Sequence, residues 1–220
     1  MTTQPAEKSP RWQRRKEERP AEILSAALRL FVERGFAATK LEDIARRAGI
    51  TKGTMYLYFD SKEEIFKAAV RESMVPELAR AEQLVDEHQG SARELLATLL
   101  HGWWSVVGEG RASGVPKLMM AEASTFPELA RFYYEEVVRR GHRLIERALR
   151  LGIERGEFRD FDVRLGVRLA LAPVLHAAIY KHSFMYCSPE PVDFKALIDQ
   201  HIDTFVRGIA QEAPGEGQHA

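Results

Sequence analysis

The residues from Thr51 to Tyr58 combine side chains that are suited to recognising a nucleic acid. Lys52, Thr54 and Tyr56 fall within this stretch, which contains few other charged groups that would serve solvation alone. Small hydrogen-bond donors and flat phenol rings suit a groove that is lined by base edges and phosphates. The stretch therefore favours binding to double-stranded DNA.

Two short helices that meet at Gly49 are predicted to position these side chains. The first helix is indicated by apolar residues at the i, i+3, i+4, i+7 spacing of a helix packed on one side. These residues are Leu41, Ile44, Ala45 and Ala48. Thr39 and Glu42 have the spacing of a capping box, which predicts a helix start at Thr39. Gly49 supplies the freedom for a sharp turn, Ile50 fills the corner and Thr51 caps the second helix, so the pattern is a helix-turn-helix.

The segment from Thr39 to Lys62, TKLEDIARRAGITKGTMYLYFDSK, resembles the DNA-binding signature of the TetR family of bacterial transcriptional regulators. Matching residues outside the segment are Leu30, Phe31, Arg34, Gly35, Phe36, Glu63 and Glu64. The resemblance covers about the first third of the chain. Lys40 replaces a small hydroxyl residue and Leu57 replaces an aromatic residue that are usual in the family, which changes local contacts and leaves the fold intact.

The side-chain chemistry and the resemblance together imply a set of DNA contacts. The residues expected near bases are Lys52, Thr54 and Tyr56, and those expected on phosphates are Thr39, Lys40, Tyr58 and Lys62. Thr51 and Gly53 complete the expected DNA-binding set.

The distribution of charge supports a DNA-binding amino-terminal end. The 220 residues include 32 basic and 32 acidic side chains, so the net charge alone argues against nucleic-acid binding. Residues 1–62, however, contain 13 basic and 8 acidic side chains, which leaves 19 basic and 24 acidic side chains for the remainder. The positive charge is segregated with the helix-turn-helix, as a one-ended DNA binder requires.

Composition excludes several other classes of protein. A hydrophobic content of 45% supports a sizeable core in one or two domains. The single cysteine, Cys187, excludes an internal disulfide and a cysteine-rich zinc site, and no second cysteine could resolve it in a redox switch. No apolar run approaches the length of a membrane span, and the polar amino terminus is unlike a signal peptide, so a cytoplasmic protein without a membrane partner is expected.

No cofactor is expected either. The seven histidines include no H-x-x-x-H or H-E-x-x-H pair, which argues against a metal site. Gly108, Gly110 and Gly114 have the wrong spacing for a dinucleotide-binding loop and no strand precedes them, so they predict an ordinary loop.

Four segments are expected along the chain: a disordered basic arm at 1–19, a helix-turn-helix domain at 20–66, a ligand-binding and dimerisation domain at 67–211, and a disordered tail at 212–220. The arm has two interpretations, a solvated tail or a segment that settles on phosphates or in a minor groove. Pro20 is expected to open the first helix and Ser61 to cap the fourth. Pro76 should kink or break that fourth helix, either inertly or as a joint.

The predicted fold class is all-α with about nine helices, because apolar residues recur at helical spacing and no segment alternates at period two. Later helices are expected over 91–107 and 115–124, after a capping box at Thr125 and Glu128, over 162–184 with a bend at Pro173, and after a cap at Asp193. Met120-Ala121-Glu122 and Phe126-Pro127-Glu128-Leu129 are weakly similar to the family's regulatory domains of the efflux-regulator type. That resemblance implies dimerisation through the last two helices and a small-molecule inducer.

Dimerisation is also expected because a single helix-turn-helix reads few base pairs, whereas a dimer spans two half-sites about 34–36 Å apart. The apolar face of the last helix is wide enough to serve a core and a partner together, although core alone is the alternative. The candidate contacts are Leu169, Val174, Ala177, Ala178, Ile198, Ile202 and Phe205.

A ligand pocket is the least specific prediction. Large, soft or amphipathic side chains suit a pocket between helices, although the same pattern also describes an ordinary core. The candidate ligand-binding residues are Trp103, Trp104, Met119, Met120, Glu122, Phe132, Tyr133, His142, His176 and Tyr180. Glu122 stands out as an acid on an apolar segment, which is either an exposed side chain or a buried charge that needs a partner.

These patterns predict a transcriptional regulator, a repressor that leaves its operator when a small hydrophobic or amphipathic effector binds the carboxyl-terminal half. A helical enzyme is the first alternative, but the chain has no nucleophile elbow, phosphate loop or metal-binding pair. A helical scaffold whose helix-turn-helix does not bind DNA is the second. The segregated positive charge favours the regulator.

Overall fold

The computed structural model describes residues 10–211, and their side chains from residue 19 onward. The chain divides into two compact units, Met1–Glu72 and Ser73–Ala220. The described residues are helical, apart from connecting turns and one isolated bridge between Phe158 and Ala210. The predicted all-α fold is confirmed.

The amino-terminal unit contains three helices and the beginning of a fourth. They are α1 (Pro10–Arg34), α2 (Leu41–Arg47), α3 (Lys52–Met55) and α4 (Lys62–Glu87). Three fully buried aromatic rings form the centre of this unit, with centroid distances of 5.1 Å from Phe31 to Phe36, 5.9 Å from Phe31 to Phe66 and 5.8 Å from Phe36 to Phe66. Such tilted and edge-on aromatic contacts hold the ends of α1 and α4 together within the unit.

Glycine and hydroxyl residues set the ends of these helices as the sequence indicates. Gly35 has φ 87° directly after α1, and Gly49 has φ 65° between α2 and α3, a conformation that favours glycine. The Thr51 side chain accepts a hydrogen bond from the Thr54 N–H at 3.1 Å and caps α3. Ser61 likewise accepts from the Glu64 N–H at 3.1 Å at the start of α4.

Two predictions at the amino-terminal end are wrong. Helix α1 begins at Pro10, so Pro20 lies inside it and residues 10–19 are helical rather than disordered. Residues 1–9 of the expected arm and 212–220 of the expected tail lie outside the described residues. Helix α2 is capped by Lys40, not Thr39, and the cap makes no side-chain hydrogen bond.

The carboxyl-terminal unit is built from the rest of α4 and six further α-helices. They are α5 (Ala92–Trp104), α6 (Val115–Glu122), α7 (Pro127–Tyr133), α8 (Arg139–Glu154), α9 (Val163–Ser183) and α10 (Phe194–Ile209). A π-helical turn, Ser105–Glu109, extends α5, and a second, Tyr134–Val138, joins α7 to α8. With these junctions, residues 10–211 form nine continuous helical segments, as predicted.

Capping explains several of these helix starts. Asp193 accepts from the Ala196 N–H at 3.0 Å and caps α10, as expected. Ser91 and Glu94 form a reciprocal capping box at α5 that sequence reasoning missed. The box expected at Thr125 is absent, because Phe126 is the cap residue of α7 and makes no side-chain bond.

The prolines inside long helices do not end them. Helix α4 continues through Pro76 and α9 through Pro173, so of the predicted kink or break at Pro76 the break does not occur. Proline has no N–H, and the carbonyl of Glu72, four residues before Pro76, therefore lacks its usual intrahelical donor. That position coincides with the boundary between the two units.

Helix α9 occupies the core of the carboxyl-terminal unit. Val167, Ala170, Val174 and Ala177 are buried, and α9 packs against α5, α6, α8 and α10. Its length and composition alone would allow it to cross a membrane, contrary to the expectation that no segment approaches such a span. A core helix of a soluble protein passes the same test, and one side of α9 is packed against four other helices of the unit.

Candidate functional site

The exposed face of α3 and of the turn after it lies in the amino-terminal unit. Met55 is fully buried and anchors the segment, while Gly53, Tyr56 and Leu57 are exposed. The Tyr56 N–H donates to the Lys52 carbonyl at 3.2 Å and the Leu57 N–H to the Thr54 carbonyl at 3.2 Å, which continues the helical geometry past Met55. Residues 53, 56 and 57 therefore share one side, at i, i+3 and i+4.

Gly53 leaves this face open to close approach. A Cβ atom at Gly53 would meet only the Thr51 hydroxyl, at 3.9 Å. The fold of the unit therefore has room for a larger residue at this position. An exposed glycine on a short helix lets another backbone approach closely.

Lys52 is the cation nearest this face. Its ammonium forms an ion pair with Glu42 of α2 and lies 5.9 Å from the centroid of the Tyr56 ring. The Lys52 hydrogen bond lowers the pKa of Glu42 below its ordinary value, and Glu42 in turn raises the pKa of Lys52. Both groups are charged near neutral pH, so Lys52 is oriented but remains at the surface, where an anionic partner can compete for it.

Three arginines of the unit pair with acids. Arg34 and Arg46 both pair with Asp43, and Arg47 pairs with Glu33 at 2.7 Å. Lys40 is exposed at the cap position of α2. The side chains of Thr54 and Tyr58 are half-buried, and Thr51 is exposed.

Thr39 is placed inside the unit rather than on its surface. It is 1% exposed, and its hydroxyl lies 2.7 Å from the Gly35 carbonyl and 3.3 Å from the Leu30 carbonyl. The expected phosphate contact through this side chain is therefore wrong. The hydroxyl fixes the turn between α1 and α2 instead.

Lys62 is also used internally. Its ammonium donates to the Phe36 carbonyl at 2.7 Å and the Ala37 carbonyl at 3.3 Å, and it lies 4.4 Å from the centroid of the Phe36 ring. The favourable partners of this lysine at the start of α4 are thus two backbone carbonyls of the chain itself. Its expected role on a phosphate is not supported by this geometry.

A second candidate site is a cavity of about 190 Å³ within the carboxyl-terminal unit. Its walls come from α4, α5, α8 and α9, together with the π-helical turn after α5. The lining residues are Met74, Glu77, Leu78, Arg80, Ala81, Leu84, Thr98, Leu99, Gly102, Trp103, Ser105, Val106, Gly141, Leu144, Ile145 and Leu171. Most are apolar, and the charged pair Glu77 and Arg80 supplies the polar groups on α4.

Two glycines shape this cavity. A Cβ on Gly141 would lie 3.1 Å from the Trp103 ring, so the glycine allows the indole to lie against α8. A Cβ on Gly102, in the interior of α5, would meet nothing within 4 Å. Gly102 lines the cavity and is itself exposed, and glycine in a helix interior costs about 0.5–1 kcal/mol relative to alanine.

Among the ten predicted ligand-binding residues, only Trp103 lines this cavity. Trp104 is core: its ring stacks on Phe194 at 5.6 Å and its N–H donates to Glu109 at 3.1 Å. Met119 is buried and Met120 is 65% exposed. The remaining predicted residues, all outside the cavity lining, are Glu122, Phe132, Tyr133, His142, His176 and Tyr180.

Three of the ionisable residues among these, Tyr133, His142 and His176, differ in burial and in their neighbours. Burial raises the pKa of the Tyr133 phenol. Burial and then the nearby Arg168 lower the pKa of His142 below its ordinary value. His176 is exposed, with its ring 6.1 Å from that of Tyr180. Within residues 10–211, no three His, Cys, Asp or Glu side chains come together as metal ligands.

The fold and these two sites define a class: a helix-turn-helix unit followed by a helical unit with an apolar cavity. Residues 23–69 match the family model for bacterial regulatory proteins of the tetR family, and residues 86–186 match a tetracyclin repressor-like carboxyl-terminal domain. The chain is 34% identical over 152 residues to the transcriptional repressor KstR2 of Mycobacterium tuberculosis, covering 68% of this chain and 74% of that protein. The chain belongs to the tetR family and is a DNA-binding transcriptional regulator, as predicted.

Two further comparisons support this conclusion. The fatty acid metabolism regulator protein of Bacillus subtilis is 27% identical over 198 residues, covering 88% of this chain and 98% of that protein. The solved structure of FadR from Bacillus subtilis, in complex with stearoyl-CoA, superposes with a TM-score of 0.66 at 24% identity, covering 86% of this chain and 98% of that chain. The second comparison shows the shared fold.

Proposed function

We propose that the protein is a homodimeric repressor that binds a two-fold symmetric operator and releases it when a small, mainly apolar effector fills the cavity. The observation that carries the proposal is the exposed face of α3, held by the buried Met55 and kept open at Gly53. A surface of this kind fits a major groove. The M. tuberculosis relative is named a transcriptional repressor, which supports repression rather than activation for this protein.

The DNA contacts follow from the exposed side chains. Thr54 and Tyr56 read base edges, while Lys52 exchanges Glu42 for a base or phosphate oxygen. Lys40 and Tyr58 hold the phosphate backbone on either side. The Thr51 hydroxyl remains the cap of α3, and Gly53 lets the helix approach the groove closely.

The dimer surface lies on α9 and α10, mostly on residues other than the candidate contacts that the sequence suggests. Val174, Ala177, Ala178, Ile198 and Ile202 are buried within one protomer. The exposed stripe of α9 instead contains Leu165, Leu169, Ala172 and His176, and Leu197 is exposed on α10. Exposed leucines one turn apart are the residues that a second copy would bury.

The cavity is the proposed effector site, and α4 is the element that reports its occupancy. Met74, Leu78 and Leu84 of α4 line the cavity, while the same helix begins at Lys62 in the DNA-binding unit. The missing hydrogen bond at Pro76 supplies a joint in that helix. An effector shifts the equilibrium between the DNA-binding conformation and the released conformation only if it binds one of them more tightly than the other.

The names of the relatives support an effector with a large apolar part. The B. subtilis relative is named for fatty acid metabolism, and the FadR structure contains stearoyl-CoA. The apolar lining with a charged pair on one wall suits the apolar end of an amphipathic molecule, because about 190 Å³ is less than the volume of a pocket that encloses a whole drug-sized ligand. The regulator acts in the cytoplasm, where operator and effector meet.

The DNA proposal is tested by fluorescence anisotropy with the duplex upstream of the coding region of the protein and with random DNA, at several salt concentrations. Operator affinity should exceed random-DNA affinity by about a thousandfold or more, and both should fall as salt rises. Tyr56→Ala should lose about 1–3 kcal/mol on the operator and little on random DNA. Equal losses on both DNAs would remove Tyr56 from base reading, and salt-insensitive or absent binding would refute the proposal.

The effector proposal is tested by a thermal-shift screen with amphipathic lipids and metabolites. A ligand that binds the folded state raises the melting temperature by mass action and should lower operator affinity. Gly102→Leu adds a bulky side chain at a cavity-lining position where no atom lies within 4 Å of the new Cβ, and it should abolish both effects while retaining operator binding. A ligand that acts equally on Gly102→Leu binds elsewhere.

A further inference from the structure

Exposed large hydrophobic side chains are confined to one place in the described part of the amino-terminal unit. They are Tyr56, 44% exposed, and Leu57, 80% exposed. The other large apolar side chains that the structure describes in this unit, from residue 19 onward, are buried or half-buried. An isolated exposed leucine is unremarkable by itself, but here both exposed groups are consecutive and lie on the open side of α3.

The two side chains differ in what they can recognise. Tyr56 has a hydroxyl and lies beneath the Lys52 ammonium, 5.9 Å from the ring centroid. Leu57 has neither a donor nor an acceptor, and it shares its side of the helix with Gly53, four residues earlier, where no Cβ keeps a partner away. A purely aliphatic side chain on a surface that a partner can approach closely contributes to binding only by burying apolar area.

The major groove of B-DNA offers one apolar group to such a side chain, the C5-methyl of thymine. The base-edge groups that distinguish the four bases there are otherwise donors or acceptors. We propose that Leu57 determines operator specificity by packing on a thymine methyl group in each half-site. This inference rests on the DNA-binding function proposed above and adds to it the chemistry of one base.

The test is a chemical double-mutant cycle on the full-length protein. Selection from a random duplex library with the wild type supplies the operator sequence that the protein prefers. Each thymine of the selected half-site is then replaced in turn by deoxyuridine, which removes only the methyl group. Affinities of the wild type and of Leu57→Ala are measured on every duplex by fluorescence anisotropy.

At one thymine position in each half-site, loss of the methyl group should weaken operator binding by the wild type about fourfold. This is the change in affinity that corresponds to burying one methyl-sized apolar group. Leu57→Ala should bind the thymine and deoxyuridine duplexes equally at that position. At all other thymines the two proteins should respond alike. Leu57→Met, which stays apolar, should keep the methyl dependence, and selection with Leu57→Ala should lose the base preference at that position.

Additive effects of Leu57→Ala and deoxyuridine at every thymine would overturn the assignment while leaving DNA binding established. Failure of the wild type to enrich any sequence would overturn the proposed function, and the role of Leu57 with it. Because Leu57 is largely exposed, the melting temperature of Leu57→Ala should match that of the wild type, which separates a loss of contact from a loss of fold.

Discussion

The two units present their recognition chemistry in opposite ways. In the amino-terminal unit the candidate contacts from Thr51 to Tyr58 are neighbours in sequence, and several point outward from one short helical segment. In the carboxyl-terminal unit the cavity collects residues from Met74 to Leu171, and they line a partly open, mostly apolar space between helices. A groove in DNA is read by an exposed surface, whereas a small apolar molecule must be surrounded.

This difference has an energetic consequence. Substituting an exposed residue such as Tyr56 should change binding with little effect on stability, since surface changes are usually within about 0.5 kcal/mol. Substituting a cavity residue changes packing and binding together, because its neighbours across the cavity also form the core. Binding and stability should therefore separate cleanly in one unit and only at open positions in the other.

Disrupting the proposed dimer should have the largest effect of the changes considered. It should weaken DNA binding by the amino-terminal unit and leave effector binding by the carboxyl-terminal unit intact. Leu165→Arg with Leu169→Arg places two charges on the exposed stripe of α9, where Leu169 is 63% exposed. Sedimentation velocity should show monomers, and operator affinity should fall about 10²–10⁴-fold as the linked second contact is lost. Effector binding should survive, because one chain supplies the whole lining described for the cavity. Met120→Arg, an equally exposed site on α6, is the control and should remain dimeric.

A pair of glycine substitutions should distinguish open from filled positions within the carboxyl-terminal unit. Gly152→Ala places a Cβ 2.0 Å from the Phe158 ring, and we expect a loss of about 1–3 kcal/mol in the free energy of unfolding. Gly102→Ala should instead gain about 0.5–1 kcal/mol through helix propensity and weaken effector binding. Urea unfolding followed by circular dichroism measures both, and a destabilised Gly102→Ala would show that its surroundings are not open.

The difference between the units also explains which features of the fold and of the two sites could be predicted from the sequence. The turn at Gly49 and the caps at Thr51, Ser61 and Asp193 depend on residues a few positions apart, and the structure confirms them. The nine helical segments follow from apolar periodicity for the same reason. Interactions between residues this close in sequence can be predicted from the spacing of residue types along the chain.

Tertiary packing accounts for the predictions that failed. Thr39 fits a capping box by spacing, but its hydroxyl is taken by the carbonyls of Leu30 and Gly35. The periodic pattern marks Trp103 and Trp104 alike, and only the packing of α5 against α8 and α10 decides that one lines the cavity and the other is core. Gly102 carries no apolar signal, although a glycine in a helix interior was the available hint.

A comparison of two lysines should sharpen the distinction between surface and interior within the DNA-binding unit. Lys40 is exposed, whereas the Lys62 ammonium is held by the carbonyls of Phe36 and Ala37. Lys40→Met should reduce the magnitude of the slope of log affinity against log salt by about 0.9 for each protomer in contact.

Lys62→Met should leave that slope unchanged and lower the melting temperature. A hydrogen bond to a charged group contributes about 1.5–3 kcal/mol to stability. The loss should be smaller here, because Lys62 is only half-buried. Anisotropy titrations on any duplex suffice, because the salt slope does not require the operator. A smaller slope for Lys62→Met would place its ammonium on a phosphate after all.

The smallest predicted effect concerns pH and belongs to the carboxyl-terminal unit alone. Burial lowers the pKa of His142 and of His182, with Arg168 adding to the effect at the first and Lys181 and Lys117 at the second. Below a pH of about 6.5 the unfolded chain takes up protons that the folded chain still refuses, so stability should fall as pH decreases toward the lowered pKa values. The slope is at most about 1.4 kcal/mol per pH unit for each histidine.

Carboxylates whose pKa is lowered contribute in a separate window. Arg140 lowers the pKa of Glu82 through a bidentate ion pair at 2.9 Å, so that contribution to stability is lost only as pH falls below the ordinary range of a carboxyl group. Between about pH 6.5 and pH 5, His142→Gln with His182→Gln should therefore flatten the dependence of the unfolding free energy on pH. An unchanged slope in the double variant would assign the effect to other groups.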